Sequence, residues 1–182
     1  RSILNIENLI SLETNPQSLL GTINKVAVFN DLLLVLDSRN TKKLAVFNIK
    51  GKHLYNIGSN GDGPDQYRGI LDFATNSKRN QVYILDREMN MIIYNINGKF
   101  IDRKPIKISI NSIGILGENL IALYSDSGTK GLPNGDVKLK IYDIDKEQIV
   151  SKHLGTNPAI EDRIVSNNKN ISSYESAISL YT

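Results

Sequence analysis

An all-β chain made of repeated four-strand units is predicted here, and three observations carry the prediction. The first is a repeat. Leu36-Asp37 leads through an apolar run to Phe47-Asn48-Ile49-Lys50-Gly51-Lys52, and Leu85-Asp86 leads in the same way to Tyr94-Asn95-Ile96-Asn97-Gly98-Lys99. A fainter copy reads Ile141-Tyr142-Asp143-Ile144-Asp145-Lys146; Tyr94 follows Phe47 by 47 positions, and Tyr142 follows Tyr94 by 48. The second is that each unit divides into short runs rich in Val, Ile, Leu, Tyr and Phe, the residues that fit a pleated surface. The third is that turn residues punctuate these runs, with no competing helical period. A period in the forties with several strands per unit is the mark of propeller blades.

In chain order, residues 1–21 are expected to hold a closing strand, with Ile3–Leu12 the apolar part. Blade 1 takes residues 22–58, with strands at Lys25–Phe29, Leu32–Asp37, Lys43–Asn48 and Lys52–Ile57. Blade 2 takes residues 69–105, with strands at Ile70–Ala74, Gln81–Asp86, Met91–Asn95 and Phe100–Lys104. Blade 3 takes residues 110–155, with strands at Ile110–Leu116, Asn119–Ser125, Lys138–Asp143 and Ile149–Leu154. Asn30-Asp31 and Gly117-Glu118 supply turns between first and second strands, while Lys50-Gly51 and Asn97-Gly98 supply turns between third and fourth. Asn-Gly is a strong hairpin signal because both residues tolerate positive φ. Residues 156–182 read as a linker and the start of another blade. Rings need four to eight blades, so three are expected to be part of a larger ring, about six blades, completed by further chain or by a partner.

Composition bounds the function. The chain has 182 residues, 40% apolar and 23% charged, with a formal charge of +3 and no cysteine. Its Lys and Arg are scattered, which gives no support to nucleic acid as a partner. Absence of Cys excludes disulfides and thiolate metal sites. No run approaches the ~18 apolar residues of a membrane-spanning helix. The start at Arg1 without Met and the strand-like end Ser179-Leu180-Tyr181-Thr182 are read as those of a piece of a longer precursor.

The stretch Ile57-Gly58-Ser59-Asn60-Gly61-Asp62-Gly63-Pro64-Asp65-Gln66-Tyr67 resembles the Gly-rich junction of NHL-like and TolB-like propellers. It is most similar to the six-bladed family abundant in Bacteroidetes, whose junction has the form I-G-x-x-G-x-G-P-x-E-Y. Leu12-Glu13-Thr14, the strand endings at Asp37 and Asp86, and Asn97-Gly98-Lys99-Phe100 agree with that family; Gln66 departs from it, where an acidic residue is commoner. The resemblance covers residues 9 to 105 well and the third blade poorly. It implies a bacterial protein that is secreted, or anchored in the periplasm or outer membrane as a lipoprotein. It brings no assigned activity.

Antiparallel order places the turns between first and second, and third and fourth, strands on one face of the ring. The turns between second and third strands and the blade-to-blade junctions lie on the other. That second face carries the junction Gly58–Gly69 and the loop Asp126–Asp136, and scaffolds put binding on elaborated loops. The ligand candidates are Arg39, Tyr67, Arg68, Arg87 and Asp126. Gathered guanidinium groups would hold a carboxylate or phosphate by charge-assisted hydrogen bonds. Against this stand plainer readings. The Arg side chains would pair with Asp37, Asp62, Asp65 or Asp86, Tyr67 would pack between blades, and Asp37 and Asp86 would bind backbone N–H groups as Asx residues do.

The junction is not a phosphate loop, since no Gly-Lys-Ser/Thr ending and no helix follow it. Asn60, Asp62 and Asp65 fail the EF-hand pattern at Pro64. His53 and His153 fall on outer strands and are not expected to converge on a metal or in a triad. No cofactor is expected. The reading is a non-catalytic binding module for a protein, peptide or glycan. The alternative is a metal-dependent hydrolase or lyase of the six-bladed lactonase type, and a third is a half-ring that pairs with another chain.

Overall fold

The computed structural model describes residues 9–125 and 137–155. Among them there are twelve strands and no helix. In chain order they are β1 (Lys25–Phe29), β2 (Leu32–Asp37), β3 (Lys43–Asn48), β4 (His53–Asn56), β5 (Ile70–Asn76), β6 (Gln81–Asp86), β7 (Asn90–Asn95), β8 (Phe100–Pro105), β9 (Ser112–Ile115), β10 (Leu120–Tyr124), β11 (Val137–Asp143) and β12 (Gln148–Gly155). They form three four-stranded antiparallel sheets in the orders β1-β2-β3-β4, β5-β6-β7-β8 and β9-β10-β11-β12. The first strands lie against one another, β1 by β5 and β5 by β9, so they are the innermost strands of three successive blades. The chain is an all-β partial propeller.

The sequence repeat has a structural counterpart. The register between third and fourth strands slips at Val46/Phe47, Ile93/Tyr94 and Ile141/Tyr142. These are the aromatic positions that mark the repeat. A bulge there bends and twists the outer strand. The turn that follows is capped each time by the next side chain. Asn48 Oδ1 accepts from the N–H groups of Lys50 and Lys52, Asn95 Oδ1 from Lys99, and Asp143 Oδ1 from Asp145 and Lys146.

Alternation along each strand gives every blade two apolar faces. Leu34, Leu36, Leu44 and Val46 of blade 1 pack against Phe73, Val82, Ile84, Ile92 and Tyr94 of blade 2. The opposite face of blade 2, with Tyr83, Leu85, Met91 and Ile93, packs against Ile113, Ile121, Leu123 and Tyr142 of blade 3. The free face of blade 1 carries Val35, Ala45 and Phe47, covered by Leu12 and Leu20 of the lead-in segment. The described part of that segment forms no strand. It is tied to blade 1 by Glu13 N–H to the Gly51 carbonyl, 2.8 Å, and by the His53 N–H to Glu13 Oε2, 2.9 Å. Gly51 has φ +81°, and a Cβ there would sit 2.0 Å from the Ser11 carbonyl oxygen. Only glycine lets the lead-in segment cross this turn so closely.

Some expected boundaries move. The ninth strand spans Ser112–Ile115 rather than Ile110–Leu116, because Ile110 is spent on filling the seam beside blade 2. The fourth shortens to His53–Asn56; Ile57 leaves the sheet edge for the core, though its N–H still reaches the Leu44 carbonyl.

Candidate ligand-binding face

The long-loop face is built on buried carboxylates. Asp37 ends β2 with no exposed surface. Its Oδ1 accepts the N–H groups of Arg39 and Asn40; its Oδ2 accepts those of Gly21, Thr22 and Thr41 and the Thr41 hydroxyl. Burial alone would raise its pKa. The backbone donors of Gly21, Asn40, Thr41 and Thr22 outweigh that and hold the carboxyl well below the usual carboxylate range. Asp86 ends β6 with the same kind of turn, its Oδ1 accepting the N–H groups of Glu88 and Asn90 at 3.0 and 2.9 Å. Both Asp residues are therefore turn knots, as the Asx reading anticipates. In blade 3 the corresponding place by register is Ser125, buried, whose N–H reaches the Lys138 carbonyl.

These knots hold out two arginines. Arg39 and Arg87 are exposed on the turns after β2 and β6. Neither makes an ion pair with a described carboxylate. The Arg87 stem lies over Gly69, where a Cβ would stand 3.0 Å from Arg87 Cδ; Gly69 has φ +69°, so the close approach and the turn both ask for glycine. Arg68 is exposed but engaged, its Nε 2.7 Å from Asp62 Oδ1 and its Nη1 3.9 Å from Glu88 Oε1. Asp126 lies outside the described residues, as do Lys130 and Asp136.

Tyr67 has no exposed surface to offer a ligand. It is wedged between blades 1 and 2, and its hydroxyl has no hydrogen-bond partner of good geometry. Burial first, and then the Tyr94 hydroxyl, push its pKa up, with the Leu44 backbone opposing. Tyr94 donates to the Asp65 carbonyl at 2.7 Å, and burial followed by the Asp65 charge pushes its pKa up to about 12. Arg103 Nη2 binds the Gln66 carbonyl and lies 3.8 Å from Asp86 Oδ2. The junction that carries Arg68 is thus fastened from beneath by Tyr67, Tyr94 and Arg103.

Sequence reasoning misses a second polar group, at the start of the innermost strands. Lys25 Nζ of β1 donates to Asp72 Oδ1 of β5 at 2.7 Å and to the Phe73 carbonyl at 2.9 Å, and sits 5.3 Å from the Phe73 ring centre. Asp72 Oδ2 accepts the Ser112 hydroxyl and the Ile113 N–H of β9, both at 2.9 Å. One buried carboxylate therefore ties three blades at the channel, beneath the long-loop face. Its inter-blade partners lie 40 to 47 residues away, and the only sequence signal is a charged residue inside a strand.

The opposite face carries a clamp at the blade 2–blade 3 seam, beside exposed lysines on its turns at Lys50, Lys52, Lys78 and Lys99. Arg79 grips Asp145 with Nη1–Oδ1 2.9 Å and Nη2–Oδ2 2.5 Å. A groove of about 260 Å³ beside it is lined by Tyr83, Ile93, Ile101, Asp102, Lys104 and Ile144 among others, and Lys104 there is paired to Asp102 and Glu147. Both histidines are on outer strands: His53 on β4, its Nε2 3.2 Å from Asn56 Oδ1, and His153 on β12, its Nε2 3.0 Å from Ser151 Oγ. Among the described residues no three of His, Asp and Glu gather to hold a metal, and no helix is long and apolar enough to cross a membrane.

Similarity to known structures agrees with this architecture. A crystal structure of a "Putative exported protein" from Bacteroides fragilis matches 81% of the chain at 23% identity with a TM-score of 0.72. The structure of U3-55K matches 80% at 12% identity (TM-score 0.56), and the WD40 β-propeller domain of Doa1 matches 75% at 11% identity (TM-score 0.54). At these identities the likeness shows the propeller fold alone. The chain spans 42%, 42% and 41% of those three proteins. No curated protein matches its sequence. A family model, "Domain of unknown function (DUF4934)", matches residues 5–182. The chain belongs to that family, and its described part is a three-blade segment of a β-propeller.

Proposed function

We propose that the chain is part of a six-bladed, NHL-like propeller that binds, without catalysis, an acidic protein, peptide or glycan on its long-loop face. The observation that carries this reading is the pair Arg39 and Arg87. Both are exposed at turns fixed by buried Asp knots on neighbouring blades. Neither makes an ion pair with a described carboxylate, whereas Arg68, Arg79 and Arg103 each do. Arg68 lies on the junction between their blades and contributes once an anion displaces Asp62. Each charge-assisted bond is worth roughly 1.5–3 kcal/mol if ligand binding excludes water, and little if it stays exposed. Tyr67 serves by fixing the junction, not by touching ligand. The domain limits given above, with residues 1–21 closing the ring, belong to the same proposal. So does a secreted or outer-membrane-anchored location, supported by the exported neighbour from Bacteroides fragilis.

The test is an array of acidic and neutral glycans and peptides screened with the native chain and with Arg39→Ala/Arg87→Ala. The reading expects retention of acidic members to fall about tenfold or more, as for loss of one contact of about 1.4 kcal/mol, with the melting temperature unchanged. A lowered melting temperature with retention intact would make both residues structural and end the proposal.

A further inference from the structure

The free face of blade 1 has two halves. Its outer half is roofed: Leu12 and Leu20 pack onto Val35, Ala45 and Phe47. Its inner half is bare. Val26 and Val28 of β1 stand on this same face, since they pair directly with Val35 and Leu33, and they are 52% and 67% exposed. In β5, which has a blade on each side, Phe73 and Ala74 point to opposite faces and are 0% and 9% exposed. The roof is itself apolar on its outside, with Leu9, Ile10 and Leu19 exposed. A contiguous apolar surface made of one bare strand and a strap is out of place on a solvated wall.

We infer that this surface is the seam where the ring closes, and that the strap of residues 9–21 is sandwiched in it. The occupant is a four-stranded blade formed by polypeptide C-terminal to β12, meeting β1 directly at Val26 and Val28 and meeting β2 and β3 only through the strap. Three arguments favour that occupant. The packing of β1 on β5 and of β5 on β9 shows what covers a first strand in this fold: the first strand of the next blade. The chain spans 42% of the exported protein it matches at TM-score 0.72, a length that leaves room for further blades. The strap is anchored by its own backbone bonds at Gly51 and by Lys43 Nζ and Asn56 Nδ2 on the Gln17 carbonyl, so it holds its place before any blade arrives. The closing seam therefore holds a strap across β2 and β3, where the blade 1–blade 2 seam holds only Ile57 and Tyr67 of its junction.

The chain contains no cysteine, which makes a direct test clean. Val28→Cys, Leu19→Cys and, as an exposed control, Lys50→Cys are placed singly in the protein as it occurs naturally. Each variant is labelled with a maleimide under native and unfolding conditions, then cross-linked through a benzophenone maleimide and mapped by mass spectrometry. The inference expects native labelling of the V28C and L19C variants to be slower than that of the K50C variant by about tenfold or more, as for groups exposed only by local opening. The thiols of V28C and L19C should both cross-link within the same polypeptide to residues after Gly155. Free labelling of V28C, or cross-links to a second copy with doubled mass, would overturn the inference. Protection of V28C with free labelling of L19C would overturn the sandwiched strap.

Discussion

The two seams between blades are built differently. Between blades 1 and 2 the apolar contact is dry: Leu34, Leu44, Val46, Ile70, Phe73 and Ile84 have no exposed surface, the junction plugs the seam with Tyr67, and the ion pair Lys25–Asp72 crosses it at the channel. Between blades 2 and 3 the apolar contact is looser, with Ala74 and Tyr142 at 9% and 8% exposure. There the blades are held also by Arg79–Asp145, by Lys104–Glu147 and by Asn76 Nδ2 on the Gly117 and Glu118 carbonyls. The difference teaches where rigidity is needed. The dry seam lies under Arg39, Arg68 and Arg87, so it fixes the proposed ligand face. The charged seam has its clamp on the opposite face.

The largest expected effect comes from breaking the dry seam. Leu34→Ala leaves a cavity among fully buried neighbours and should cost about 2–5 kcal/mol in denaturant unfolding. A cost below about 1 kcal/mol would mean that blades 1 and 2 are not packed as described. Next comes the Asp37 knot, which ties the same blade to the lead-in segment. Asp37→Asn keeps the shape but removes acceptor capacity from six donors, and in the same urea titration should cost about 1–3 kcal/mol.

Acid sharpens the comparison. Asp145 is held below its ordinary pKa by Arg79, and Asp102 by Lys104, and both lie at the charged seam. Their stabilisation is complete above the unfolded carboxylate value near ~4 and is lost as pH falls through the lower folded values. Titration below pH ~4 should therefore loosen blade 3 before blade 1, whose Asp37 is held far lower; proteolysis at Lys138 or Lys146 appearing before cleavage at Lys43, with an acid-tolerant protease, would show it. The smallest effect belongs to the clamp alone. Asp145 is half exposed, so Arg79→Ala should lower the melting temperature by no more than about 4 °C, and the loss should shrink in high salt.

Much of the fold is legible in the sequence because its determinants are local. Alternation places all twelve strands. The Asx knots at Asp37 and Asp86 bind N–H groups two to four residues on. What is not legible depends on how blades face one another. The Lys25–Asp72–Ser112 tie and the Arg79–Asp145 clamp join residues 40 to 66 apart, and which charge meets which follows from inter-blade register. The same limit explains the site. Burial of Tyr67 and pairing of Arg68 emerge only when the junction is folded over blade 2, while the exposure of Arg39 and Arg87 follows from their place just past a knot.

Native-state hydrogen exchange, resolved by strand and followed at rising sub-denaturing urea, tests the contrast between the seams most directly. The account predicts two openings: amides of β9–β12 exchange together at lower free energy, and those of β1–β8 together at higher free energy. A single opening shared by all twelve strands, or loss of β1–β4 before β9–β12, would contradict it.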